Sequence, residues 1–197
     1  MKKIILLMSV IAIGGLTTKS LAKHNESNLT INTKVSNVDW TGKKVAGQHT
    51  GTINIKEGNL HFHDGHLDGG KVIIDMMSMT STDLEGKMAQ NLLGHLGSPD
   101  FFDVKNHNTS VLEITSTKVI DGNKFTVTGN LIIKGISKPI TFPATIELKN
   151  GKLAAYAEVK VDRTLYDIKY GSGKFFEGLG DKMIDDEFII KFKIAAE

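Results

Sequence analysis

The chain has no cysteine, one arginine among twenty-four basic residues, and no long apolar run beyond its first two dozen residues. Each shortage excludes something. Without cysteine there is no disulfide framework and no lipid-anchored cysteine, so the core must hold the fold alone. No basic run or cluster interrupts the even mixture of lysines and carboxylates, which removes nucleic acid from the list of partners. No glycine-rich phosphate loop, zincin helix or Gly-x-Ser-x-Gly elbow occurs, so no cofactor is called for and no reaction class stands out. Internal repeats, low-complexity tracts and linkers are also lacking.

What is present begins with a processing signal. Lys2 and Lys3 precede the apolar stretch Ile4 to Leu16, and Ser20 and Ala22 follow as small residues at the positions a signal peptidase reads. The expectation is a signal peptide over 1–22, a single domain over 23–197, and a periplasmic or secreted protein. Loss of Lys2, Lys3 and Lys19 takes the formal charge from +2 to about −1. The remaining chain, about 175 residues, is long enough to bury roughly 70% of its unfolded surface.

Alternation dominates from Leu29 to Ile194. Phe125, Val127, Gly129, Leu131 and Ile133 share one parity, and so do Ile140, Phe142, Ala144, Ile146 and Leu148. Leu153 to Val161 and Phe188 to Ile194 repeat the pattern. Successive strand side chains point to opposite faces, so each run predicts a strand with one dry and one wet face. Strands are expected at 29–41, 46–56, 59–63, 70–77, 109–120, 124–134, 138–148 and 152–162, with a last one near 188–194. Turns are expected at Glu57-Gly58-Asn59, Asp121-Gly122-Asn123 and Asn150-Gly151. A single helix over about 82–96 is marked by a Thr82/Glu85 capping box and the stripe Leu84, Met88, Leu92, Leu96. With one helix to cover about eight strands, the all-β solution is a sheet closed on itself: an eight-stranded antiparallel barrel. Such a barrel is either just filled or just wide enough for one small ligand.

Candidate residues follow from parity. On the second strand Gly47, His49, Gly51, Ile53 and Ile55 face inward, and the two glycines leave room beside His49. That histidine then meets either a partner within the protein or a ligand. His61, His63 and His66 lie opposite the dry Leu60 and Phe62, so they face solvent and no metal site is assigned. Arg163, alone among 23 lysines, marks a position needing a planar fork of donors. Its alternatives are an ion pair with Asp162, Asp167 or Asp185, or the head group of a ligand. Phe101-Phe102 and Phe175-Phe176, with Tyr166 and Tyr170, sit in loop segments and either plug or line a barrel end. Arg163 to Met183 is read as a long loop. Interior Ile53, Phe125, Leu131, Phe142, Ala155, Ala157 and Phe192 mix large with small, which predicts a continuous apolar cavity.

Several segments carry a family resemblance. His95-Leu96-Gly97-Ser98-Pro99-Asp100-Phe101-Phe102-Asp103 resembles the "HL-small-S-x-DFF(D)" signature of YceI-like polyisoprenoid-binding proteins. The run Val127 to Ile140, with Lys134-Gly135-Ile136-Ser137-Lys138-Pro139, is similar to a second motif of that family. Trp40-Thr41-Gly42-Lys43-Lys44, Gly47 to Gly51, Gly69 to Met76 and Asp162 to Gly171 agree in order, and the Trp-x-Gly-Lys start with the Phe-Phe loop resembles one branch. The resemblance implies a lipocalin-like barrel whose apolar cavity holds an isoprenoid chain or related amphiphile, a polyprenyl lipid or quinone, with peripheral membrane contact. Ligand contacts are then expected among Trp40, His49, Ile53, Phe101, Phe125, Leu131, Phe142, Arg163, Tyr170, Phe175 and Phe192. The rival readings are a packed barrel acting through its surface in envelope stress response or on a partner, and an enzyme using His49 and Arg163.

Overall fold

The computed structural model describes residues 26–64 and 66–197; the expected signal peptide lies outside them. Nine strands follow in chain order: β1 Glu26–Thr30, β2 Asn37–Lys44, β3 Gly47–His63, β4 His66–Asp75, β5 Thr109–Asp121, β6 Lys124–Ile133, β7 Ile136–Lys149, β8 Lys152–Asp162 and β9 Ile184–Ala196. One α-helix, α1, spans Gly86–Gly97. Every pairing is antiparallel, and the sheet order β2-β9-β8-β7-β6-β5-β4 closes because β3 pairs with both β2 and β4. The result is an eight-stranded closed barrel with one helix, lipocalin-like in form, as the alternation predicts. β1 adds to the far half of β3, with Leu29 opposite Leu60.

Beyond shifts of up to four residues at strand ends, as at β4 and β9, three boundaries differ from the sequence reading, each for a local reason. The expected strand 29–41 is broken in two, because the Asn32 side chain accepts a hydrogen bond from the Lys34 N–H and folds a turn between β1 and β2. Glu57-Gly58-Asn59 does not reverse the chain. It continues the 17-residue β3, paired with Ile73, Val72 and Lys71, just after a bulge at Lys56 between the pairs Ile55–Ile74 and Glu57–Ile73. One extra residue flips the parity, so Ile53 and Ile55 face inward before it and Leu60 and Phe62 after it. Finally, α1 starts at Gly86, and Glu85 makes no side-chain cap bond. Thr82 is used elsewhere. Its N–H donates to Thr50 O and its hydroxyl pairs with that of Thr50, which lays residues 80–82 along the edge of β3.

The hairpins fit their residues. Asn150 (φ 53°) and Gly151 (φ 73°) both occupy the left-handed region that a two-residue turn needs, and Lys134 with Gly135 repeats the arrangement. The segments 76–108 and 163–183 connect strands at one end of the barrel, and the shorter turns 122–123 and 150–151 lie at the other. His61, His63 and His66 stand outside the dry face formed by Leu60 and Phe62, which are 4% exposed. His61 Nδ1 bonds the Asn28 amide oxygen, and His63 Nε2 lies 3.5 Å from Asp64. Among the described residues no group of three or more His, Asp or Glu is placed to hold a metal ion.

Candidate functional site

The interior is not one continuous cavity. A space of about 190 Å³ lies under α1, and a smaller one of about 60 Å³ lies toward the short-turn end. Leu112, Phe142 and Phe192 line both and form the waist between them. The expected continuous cavity is therefore divided, because large residues on β5, β7 and β9 meet at the same level. For scale, an apolar protein cavity of about 150 Å³ stays dry and takes benzene.

Strand positions of inward parity supply the walls of the larger space: Val38 and Trp40 from β2, Ile53 from β3, Leu131 and Ile133 from β6, Val159 and Val161 from β8. Its roof comes from outside the sheet. Leu92 and Leu96 of α1 turn onto the core, whereas Met88 of the same stripe remains exposed. After the helix, Phe101 is buried and stands edge-on to Phe102, with centroids 5.6 Å apart; Phe102 is edge-on to Phe188 at 6.0 Å. The His95 ring packs on Phe101 at 5.4 Å and on Tyr170 at 4.5 Å.

Trp40 explains the glycine opposite it. A Cβ at Gly51 would lie 1.8 Å from Thr80 O and 2.5 Å from the indole, and Trp40 Nε1 donates to that same oxygen at 3.1 Å. The space expected beside His49 is thus filled by the indole. His49 lines the cavity rim and pairs with Asp83 Oδ2 at 2.7 Å. Burial alone would push the Asp83 carboxyl up; hydrogen bonds from Thr50 N–H, His49 and Ser81 outweigh it and hold it below the usual carboxylate range.

Arg163 is 2% exposed and gives four of its five donors to its own chain. Nε donates to Asp185 O (2.9 Å), Nη1 to Ile168 O and Tyr170 O (both 2.8 Å), and Nη2 to Ile184 O (3.0 Å). Nη2 also lies 3.8 Å from Asp186 Oδ1, and the guanidinium sits 5.5 Å from the Phe101 ring centre. Burial pulls its pKa down while Asp186, Asp162 and Asp185 oppose the shift; the group stays charged. Neighbouring Asp162 accepts from Thr164 N–H, the Thr164 hydroxyl and Lys174 Nζ. Lys174 reaches Asp186 as well, at 3.2 Å. The fork that lysine cannot imitate is real, but it reads backbone carbonyls, with Asp186 in place of the carboxylates expected from sequence. What the sequence presents as a loop over 163–183 is a segment knotted around one guanidinium.

Of the expected contacts, Trp40, His49, Ile53, Phe101, Leu131, Phe142, Arg163 and Phe192 line the larger cavity. Phe125, Tyr170 and Phe175 line neither space. Phe125 has the inward parity but stands beside the 121–124 hairpin at the far end. Tyr170 packs on the outer side of His95 and Phe175 lies under the Lys169 ammonium at 5.4 Å; both are about half exposed. His95 and Ser110 were not singled out, although His95 stands in the quoted motif; Phe102 lines the cavity beside Phe101, with which it was paired as a candidate for a barrel end.

Residues 29–196 match the YceI-like domain family, nearly the whole described chain. The chain belongs to the YceI-like family. Among relatives of this YceI-like chain, a UPF0312 protein of Pseudomonas putida strain F1 is 28% identical over 109 residues, 55% of each chain. A UPF0312 protein of Vibrio vulnificus is 31% identical over 122 residues, 60% of this chain and 57% of its own. The matched region thus spans a little over half the length of these relatives. Among solved structures, BcnA of Burkholderia cenocepacia superposes with a TM-score of 0.64 at 22% identity, covering 85% of this chain and 99% of BcnA. A polyisoprenoid-binding domain from Saccharophagus degradans gives 0.62 at 10% identity, covering 86% and 97%. At such identities these two similarities carry the fold alone.

Proposed function

We propose that the chain is an exported binding protein, not an enzyme, that encloses an isoprenoid-like lipid under α1 for carriage or sequestration. The observation that carries the reading is the larger cavity: about 190 Å³, walled almost wholly by carbon, and roofed by aromatic rings rather than filled. The polyisoprenoid-binding description of the Saccharophagus degradans domain supports it. Specific small-molecule pockets run to roughly 300–1,000 Å³, so a chain of several isoprene units needs Phe142 and Phe192 to rotate and join the two spaces. Half-exposed Leu165, Phe175 and Phe176 around the roof support peripheral contact with the membrane that would supply such a lipid. The signal-like Met1 to Ala22 supports release into the periplasm or medium after cleavage.

Native mass spectrometry of the protein recovered from its own cells tests this directly. A non-covalent adduct of lipid mass, extractable into organic solvent, is the expected result. Protein free of adduct, whose urea midpoint is unmoved by added prenyl alcohol, overturns the carrier reading. The division of the interior at Leu112, Phe142 and Phe192 would then favour the other class of function, a packed barrel acting through its surface.

A further inference from the structure

His95 Nε2 is buried and makes no hydrogen bond with any described residue, yet His95 lines the larger cavity. The other polar side chains that reach this space from below its rim are committed. Arg163 donates to four carbonyls and lies 3.8 Å from Asp186 Oδ1, Trp40 Nε1 donates to Thr80 O, the Ser110 hydroxyl donates to Ile132 O, and His49 is held by Asp83. Lys43, Lys44, Asp185 and Glu187 are exposed at the rim. A buried polar atom without a partner is costly, and native proteins seldom leave one. The ring cannot easily turn away to find another, because Phe101 and Tyr170 pack against it at 65° and 66°.

We propose that His95 Nε2 is the contact for the polar end of the bound lipid, and that this end is a neutral carbonyl or hydroxyl, not a phosphate. The inference rests on the carrier reading. An imidazole nitrogen offers one hydrogen bond, as donor to a carbonyl or as acceptor from a hydroxyl, depending on the tautomer. A phosphate requires several convergent donors or a fork of positive charge; the buried fork, Arg163, gives four of its five donors to carbonyls, and Lys43 and Lys44 are exposed at the rim. The aromatic surroundings of His95 suit a flat, uncharged head group attached to an apolar chain.

The chain's one tryptophan, Trp40, is in the cavity wall and reports occupancy by its emission. Titrations of the purified protein would use three ten-carbon isoprenoid probes: geraniol, the hydrocarbon myrcene, and geranyl phosphate. Expected is binding of geraniol about tenfold tighter than myrcene, the ratio one net hydrogen bond supplies, with no gain for geranyl phosphate. His95→Phe should make geraniol and myrcene equal, and His95→Gln should retain part of the preference. Tighter binding of geranyl phosphate, or a geraniol preference that survives in His95→Phe, overturns the head-group assignment and leaves the carrier reading standing. Should neither variant fold, equal binding of geraniol and myrcene by the parent protein overturns it as well. No response of Trp40 to any of the three probes overturns both.

Discussion

The two ends of this barrel solve different problems with the same strands. At the end that carries the turns 122–123 and 150–151, the sheet covers itself: Leu60, Leu67, Leu153 and Ala157 meet across the interior and leave about 60 Å³. At the other end the strands open onto the segments 76–108 and 163–183. Those segments bring their own apolar residues, Leu92, Leu96, Phe101 and Phe102, which lie over the opening and leave about 190 Å³ beneath. Short turns force strands to pack on one another, whereas long connections can bridge a gap without filling it. The roofed end also depends on a polar device, the Arg163 knot, that the self-packed end lacks.

The comparison breaks most severely if that knot is cut. Arg163→Leu strands the carbonyls of Ile168, Tyr170, Ile184 and Asp185 and leaves Asp186 with Lys174 alone, an expected loss of about 3–5 kcal/mol in urea unfolding. Amide exchange should speed up across 163–184 while the β7–β8 hairpin stays protected. Equal loss of protection at both ends would show that the roof and the far end form one cooperative unit.

Alkali should strike the same end. Tyr166, 2% exposed, has its phenol pushed up to about 12, chiefly by burial and further by Asp162. Its ordinary value is 10.0, so the unfolded chain releases this proton first as pH rises. The stabilising contribution is complete below pH 10 and is lost as pH climbs toward 12, about 2–3 kcal/mol in all. Urea midpoints in that window should fall more steeply in the parent than in Tyr166→Phe.

A pair of substitutions on β8 sharpens the contrast at smaller scale. Ala157 lines the small space and Val161 the large one. Ala157→Leu should cost about 1–3 kcal/mol through overpacking, and Val161→Leu less than about 1, while Val161→Leu alone reduces uptake of geraniol. Equal costs would mean that the larger cavity is no more open than the smaller. The smallest effect belongs to the outer surface. Replacing His61, His63 and His66 together with Gln should move stability by no more than about 0.5 kcal/mol, measured by thermal melting.

How much of this was legible depends on the range of the interaction. Alternation placed the strands from β5 to β9 closely, because the dry face of a strand is written within ten residues. The parity switch between Ile55 and Leu60 was also visible, but a turn and a bulge produce the same switch. Only the pairing of Glu57 with Ile73 distinguishes them. Thr82 and Glu85 have the spacing of a capping box, and nothing nearby shows that Thr50 will claim the threonine. Arg163 stood out by rarity, while its partners did not, since a backbone carbonyl has no sequence signature. The waist is hidden for a similar reason: Phe142 and Phe192 lie on strands separated by β8, and their common level follows from two registers combined.

The seam of the barrel sets the order of events in folding. Closure joins β2 to β9, and the Ser36 hydroxyl donates to Ala195 O across 159 residues of sequence. Contacts so remote in the chain incur loop-closure entropy before they return any stabilisation, which places such topologies among the slow folders, on the order of milliseconds to seconds. Hairpins β5–β6, β6–β7 and β7–β8 can assemble as they leave the ribosome, but the circle cannot close until residues 184–196 are free. Val38 and Phe192 are directly paired across that seam and both line the larger cavity. The larger cavity is therefore absent from every chain that has not yet made β9 and comes into existence with that strand.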